Sequence, residues 1–258
     1  MPLQGFSPPF TPRGLAALVR PPPWHYAGWL LSVEFECDPG RAAAFVPTAV
    51  GAATGRGTIH FAEWQAATDG EELLDPISSQ YRETIVVLEL TRPDRTVAQF
   101  CPLIYVDQDV SMLRGLLQGW PKKMGSTWVT RSLPLDHPAA APLRAGTRLG
   151  ASLAVKDRRL AEARLTLTGE PGEPLGILAA PTYGTVGWAD LTRPDAPPTL
   201  RHVRPAVSAK VASGWHAARA ELAFLPVPRE ELSDLELRRA TRASAGWAGI
   251  TITGASPA

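Results

Sequence analysis

Lysine is scarce in this chain. Of 26 basic side chains among 258 residues only Lys122, Lys123, Lys156 and Lys210 are lysines, and two of the four are adjacent. The pair sits in Gly119-Trp120-Pro121-Lys122-Lys123-Met124-Gly125, between apolar flanks. Arginine keeps its proton in proteins, whereas a lysine amine can lose it. A chain that uses arginine elsewhere and sets two lysines together here points to chemistry that needs a free amine. An isolated lysine titrates near about 10.4; a neighbouring ammonium and apolar surroundings both disfavour the charged form. A free amine adds to a ketone or aldehyde to give a Schiff base. On spacing alone, a solvated lysine pair at a strand entrance remains the alternative.

The elements that must position this pair are mostly strands. Strand-like runs cover 29–36, 58–64, 81–90 and 96–106, the last two joined by Arg92-Pro93-Asp94-Arg95. In YRETIVVLEL, alternation puts Tyr81, Glu83, Ile85 and Val87 on one face and Arg82, Thr84, Val86 and Leu88 on the other. A short helix is expected at 41–46 and another at 109–118, its apolar stripe formed by Met112, Leu113, Leu116 and Leu117 and its end marked by Gly119. Strand character returns after Lys123 and again at 202–207 and 220–227, followed by a predicted helix over 230–244 and a last strand at 249–253. The first 23 residues hold seven prolines and read as an irregular arm packed on the body or on a neighbouring subunit. Residues 24–258 read as one mostly β, α+β domain with a few short helices.

Composition removes several classes of function. A formal net charge of +1 is unsuited to coating nucleic acid or riding an anionic membrane. No run reaches the roughly 18 apolar residues of a membrane span, and the N-terminus lacks a basic start and signal-length apolar run, which gives a cytoplasmic expectation. Cys37 and Cys101 form no CxxC pair and read as two free thiols. The five histidines (His25, His60, His137, His202 and His216) have no metal-ligand spacing, so no metal is expected. No Walker loop, G-x-G-x-x-G or G-x-S-x-G is present, and no cofactor is expected. Arg238, Arg239 and Arg242, interspersed with acidic residues, read as a solvated helix face.

The motif Trp120-Pro121-Lys122-Lys123-Met124-Gly125 resembles the aromatic-Pro-Lys-Lys-Leu/Met-Gly signature of acetoacetate decarboxylases and their wider superfamily. Tyr81-Arg82-Glu83-Thr84 resembles the family's Tyr-x-Glu strand, Tyr105-Val106-Asp107 its Tyr-Leu-Asp, and residues 220–249 its C-terminal strand, proline turn and helix. The likeness runs from about Trp24 to Thr253 and is strongest at 81–125. It implies a curved antiparallel sheet or barrel around an active site in a homo-oligomer. Lys122 would match the Schiff-base lysine, Lys123 the cationic neighbour and Glu83 the active-site glutamate. This family is itself the standing example of a lysine activated by a second cation, so that expectation is not independent of the resemblance. Trp120, Tyr81 and Glu63 are expected to contact substrate.

Three departures accompany the resemblance. Gly28 stands where the decarboxylases carry an arginine that holds the substrate carboxylate. A second pocket glutamate falls at Ala62, with Glu63 one residue away and therefore on the opposite strand face. Arg114-Gly115-Leu116 replaces the family's Gly-Arg-Glu. The expectation is a lyase that forms a Schiff base with a small or mid-sized oxo acid or ketone, decarboxylation first. Aldolase or dehydratase chemistry on the same imine, or a non-catalytic or shape-directed cyclase barrel, are the alternatives.

Overall fold

The YRETIVVLEL segment forms a strand whose middle is buried on both faces. In the computed structural model, which describes residues 2–68 and 70–258, Glu83, Thr84, Ile85, Val86, Val87 and Leu88 are all buried. Strands buried on both faces read as continuous apolar runs, and here the two faces belong to different cores. Val86 and Leu88 join Trp29, Leu31, Phe61 and Tyr105 in the larger one. Tyr81 packs with Tyr26, Leu30, Trp64 and Val106, and Ile85 and Val87 with Cys101 and Ile104. Each fully buried side chain of this size contributes roughly 1.5–3 kcal/mol, so the sheet is held from both sides.

The strands run β1 (Trp24–Glu36), β2 (Ala52–Ala67), β3 (Gln80–Thr91), β4 (Val97–Val106), β5 (Lys122–Met124), β6 (Ser126–Val129), β7 (Arg148–Val155), β8 (Arg158–Pro171), β9 (Thr182–Val186), β10 (Arg201–Phe224) and β11 (Arg239–Pro257). Helices α1 (Pro39–Phe45), α2 (Pro76–Ser79) and α3 (Asp109–Gln118) interrupt them. One sheet has the order β11-β1-β2-β3-β4-β9-β10-β8-β7-β6; β5 is attached to β4, and β10 pairs again with β11, so the order returns to its start. The pairing is antiparallel except at β4–β5 and β4–β9, which are parallel. No helix among the described residues is long and apolar enough to cross a membrane.

Two expectations change. The helix predicted over 230–244 is a single 3-10 turn at Leu232–Leu235 followed by the 19-residue β11. Pairing on both sides overrides local preference: β11 is registered against β1 and β10, and Arg239 and Arg242 reach across to Glu36 and Glu34 on β1. The segments 202–207 and 220–224 join in one bulged strand, β10, and the predicted continuation to 227 lies beyond its end. Among its described residues the proline-rich arm has no regular element beyond a Gln4–Thr11 bridge, yet it is anchored, with Ser7 and Val19 buried and Phe6 edge-on to Trp24.

Candidate active site

Helix α3 and strand β5 build the site together. Gln108 caps the helix by accepting from the Ser111 N–H, and Gly119 ends it in the left-handed region at φ 88°. The chain turns through Trp120 and Pro121 into β5, where Ile104 is opposite Lys122 and Tyr105 opposite Lys123. Successive strand residues point to opposite faces, so the two lysines part. The Lys122 ammonium lies 2.5 Å from Glu83 Oε1, with both side chains about 5–7% exposed, and donates to Ser111 Oγ at 2.9 Å. It also lies 5.4 Å from the centre of the Tyr81 ring. Lys123 leaves on the other side, where it meets Glu230 at 2.6 Å and is 45% exposed.

Access for the Lys122 stem depends on Gly115, since a Cβ there would overlap Lys122 Cδ. The helix meets the site with an unexpected stripe. Its buried residues are Ser111, Arg114, Gly115 and Gln118, at i, i+3, i+4 and i+7, while Leu117 is exposed and Met112, Leu113 and Leu116 are half-buried. The apolar residues were expected to form the core stripe; the polar ones do, because this face closes the lysine pocket. Ser111 and Gln118 were missed for that reason, although their helical spacing with Gly115 was visible.

The pocket around Lys122 has a volume of about 40 Å³ and is bounded by Tyr26, Trp64, Tyr81, Glu83, Trp120 and a set of isoleucines. At about 10–15 Å³ for each water-sized probe, it has room for only a few heavy atoms beside the amine. Trp120, Ile177, Ile250 and Ile252 are shared with a wider chamber of about 650 Å³, bounded also by β10 residues from Arg204 to Lys210. Burial pushes the Tyr26 phenol up to about 12, and burial with the Glu83 charge holds Tyr81 well above the ordinary range. Both phenols therefore stay protonated. Tyr26 accepts a hydrogen bond from Gln118 Nε2 at 3.1 Å.

Thus Lys122, Glu83, Tyr81 and Trp120 come together, whereas Lys123 and Glu63 do not join them. Glu63 points to the opposite face of its strand, gripped by Arg131 through two hydrogen bonds of 2.7 and 2.9 Å, in a second cleft with Trp128 and Trp247 that shares Trp64 and Tyr81 with the lysine pocket. One residue of strand offset is the cause. A Cβ at Gly28 would lie 2.3 Å from the Glu63 carbonyl oxygen and 2.5 Å from Trp64 Cε3, so strand β2 and the Trp64 ring together fill the space of an arginine stem. No sequence motif singled out Trp64; the pairing of Gly28 with Trp64 across β1 and β2 did so.

Comparison with known proteins gives the family and the fold. The family model for acetoacetate decarboxylase matches residues 7–258. The chain is similar to the enduracididine biosynthesis enzyme MppR, solved with the condensation product of pyruvate and imidazole 4-carboxaldehyde: 28% identity, TM-score 0.92, covering 100% of this chain and 97% of that one. An acetoacetate decarboxylase-like enzyme from Sphingomonas wittichii RW1 is 25% identical, with TM-score 0.88 over 99% of this chain and 100% of the other. Acetoacetate decarboxylase from Legionella pneumophila is similar in fold, at 12% identity and TM-score 0.75 over 93% and 88% of the two chains. Among curated proteins there was no match.

Proposed function

Because the chain belongs to the acetoacetate decarboxylase family, we propose that it uses Lys122 to form an imine with a small 2-oxo acid and joins the resulting enamine to an aldehyde. The observation that carries this reading is the Lys122 ammonium, buried against Glu83 in a small pocket that adjoins a larger chamber. Glu83 is the group within reach to take the ammonium proton. The free amine adds to the C2 carbonyl, water leaves, and a protonated imine forms. That imine is an electron sink. Loss of a C3 proton to Glu83 gives the enamine, whose C3 then bonds to the aldehyde carbon while the aldehyde oxygen takes up a proton. Loss of water across the new bond, where it follows, gives the unsaturated oxo acid, and hydrolysis of the imine returns Lys122.

The small inner pocket fits the oxo acid, and the outer chamber has room for the aldehyde. MppR, similar over the whole chain, has been solved with pyruvate and with a pyruvate–aldehyde condensation product, which supports the same direction here. Decarboxylation of a 3-oxo acid is the second reading, favoured by the family match itself. The same imine would accept the electron pair released with CO2. Gly28, in place of the carboxylate-binding arginine, weighs against acetoacetate as the substrate.

The test is borohydride reduction in the presence of pyruvate, followed by mass spectrometry. A reduced adduct on Lys122, absent in Lys122→Arg, is expected. Added aldehyde then yields an absorbing unsaturated oxo acid, whereas acetoacetate releases little CO2; the reverse pattern favours decarboxylation. A complete lack of adduct across a panel of oxo acids and ketones would sink the lysine mechanism and leave a ligand-binding barrel.

A further inference from the structure

An oxo acid brought to Lys122 carries a carboxylate, and no described residue lining the pocket is a second cation to receive it. Among the described residues that line the cavity, Lys122 is the only positive group, and Glu83 already balances it. Arg114 is buried close by but does not line the cavity; its Nη2 is held by Thr68 at 3.1 Å and Glu72 at 3.3 Å, while its Nε has no acceptor among the described residues. What the walls do offer is neutral donors. Trp64 is 4% exposed, and its indole Nε1–H has no acceptor among the described residues; the Trp120 Nε1–H is buried and unpartnered in the same way. A buried donor without an acceptor costs about 1–3 kcal/mol, and nearly all such groups in proteins find a partner. Two of them bounding one small cavity beside a reactive amine point to an acceptor that arrives with the ligand.

Trp64 also occupies the position that matters. It is opposite Gly28 in the β1–β2 register, and its Cδ2–Cε3 edge lies over that glycine. The N–H is carried on the other long edge of the indole. Resting on the imine reading above, we propose that Trp64, with Trp120 as a second donor, binds the substrate carboxylate through its indole N–H in place of a guanidinium. Gly28 is then more than a lost arginine: a Cβ there would meet the Glu63 carbonyl and also the ring of the tryptophan that takes over the task. Neutral donors hold an anion more weakly than a bidentate arginine does, which suits a carboxylate that stays on the substrate through the reaction.

The experiment uses propionate, a carboxylate of matching size with no carbonyl to react. In the wild-type protein with 15N-labelled indoles, the Trp64 Nε1 proton, assigned through its ring contact with Gly28, is expected to move downfield as propionate is added. In Trp64→Phe, which keeps a ring over Gly28 and removes the donor, the half-saturating pyruvate concentration for borohydride trapping should rise about ten- to a hundredfold, with that for the neutral ketone butanone unchanged. An unmoved Trp64 resonance, or equal losses for pyruvate and butanone, overturns the proposal. If no oxo acid is ever trapped on Lys122, the imine reading fails, while the propionate titration still decides the carboxylate site.

Discussion

At the scale of single residues, Lys122 depends on what touches it. Glu83 is the group within 2.5 Å of its nitrogen, so Glu83→Gln keeps the shape but removes the proton acceptor. A fall of about 10²–10⁴ in turnover of oxo acid plus aldehyde is expected, with the far-ultraviolet circular dichroism of the folded protein retained. Gly115 provides a second, purely steric test. In a helix interior, alanine is favoured over glycine by roughly 1 kcal/mol, yet a Cβ at 115 overlaps the lysine stem, an overpacking that costs typically about 1–3 kcal/mol. Gly115→Ala should therefore keep its far-ultraviolet circular dichroism and lose most of the borohydride-trapped adduct. Trapping at the wild-type level would show that the stem has another path.

At the scale of elements, the three residues of β5 separate two lysines that are neighbours in sequence. Lys123 and the phenol of Tyr105 converge on Glu230, at 2.6 and 3.0 Å. Removing the glutamate leaves the buried Tyr105 hydroxyl without its acceptor, so Glu230→Ala is expected to cost about 1–3 kcal/mol in chemical denaturation. Lys123 is half exposed, and Lys123→Met should change stability by less than about 1 kcal/mol. With its charge balanced on the opposite face, Lys123→Met is also expected to slow adduct formation less than Glu83→Gln does; a larger effect would restore the neighbouring cation to a direct part in the chemistry. The pocket strand and the lysine motif were legible because alternation and a rigid Trp-Pro entrance are local properties. The active face of α3 was not, because its buried stripe is polar and its function is set by what lies beneath it.

At the scale of the whole molecule, buried titratable groups couple the fold to pH and to thiol chemistry. His60 is fully buried between Ser32, whose Oγ is 2.8 Å from Nδ1, and the Ile177 N–H, which donates to Nε2. That pattern puts the ring proton on Nδ1, and burial lowers the pKa from 6.5 to about 3. The unfolded chain binds this proton below pH 6.5 and the native one does not, so stability is intact above that pH. It falls by up to about 1.4 kcal/mol per pH unit from 6.5 down to about 3. Denaturant midpoints measured across that range should show a slope that flattens in a folded His60→Gln variant. Burial also raises the thiols, Cys37 to about 11 and Cys101 well above its ordinary range, so a thiol-specific dye should label neither before unfolding. From its sequence alone, the chain is mostly β, carries the lysine motif, places Glu83 on one strand face and lacks an arginine at Gly28. These follow from residue identity and short-range periodicity. Only the tertiary structure turned the segment after Leu235 into a strand, set Lys123 on Glu230 and Glu63 on Arg131, and laid Trp64 over Gly28. Each of those outcomes depends on which distant strand pairs with which, and such pairing is decided by packing across the whole sheet.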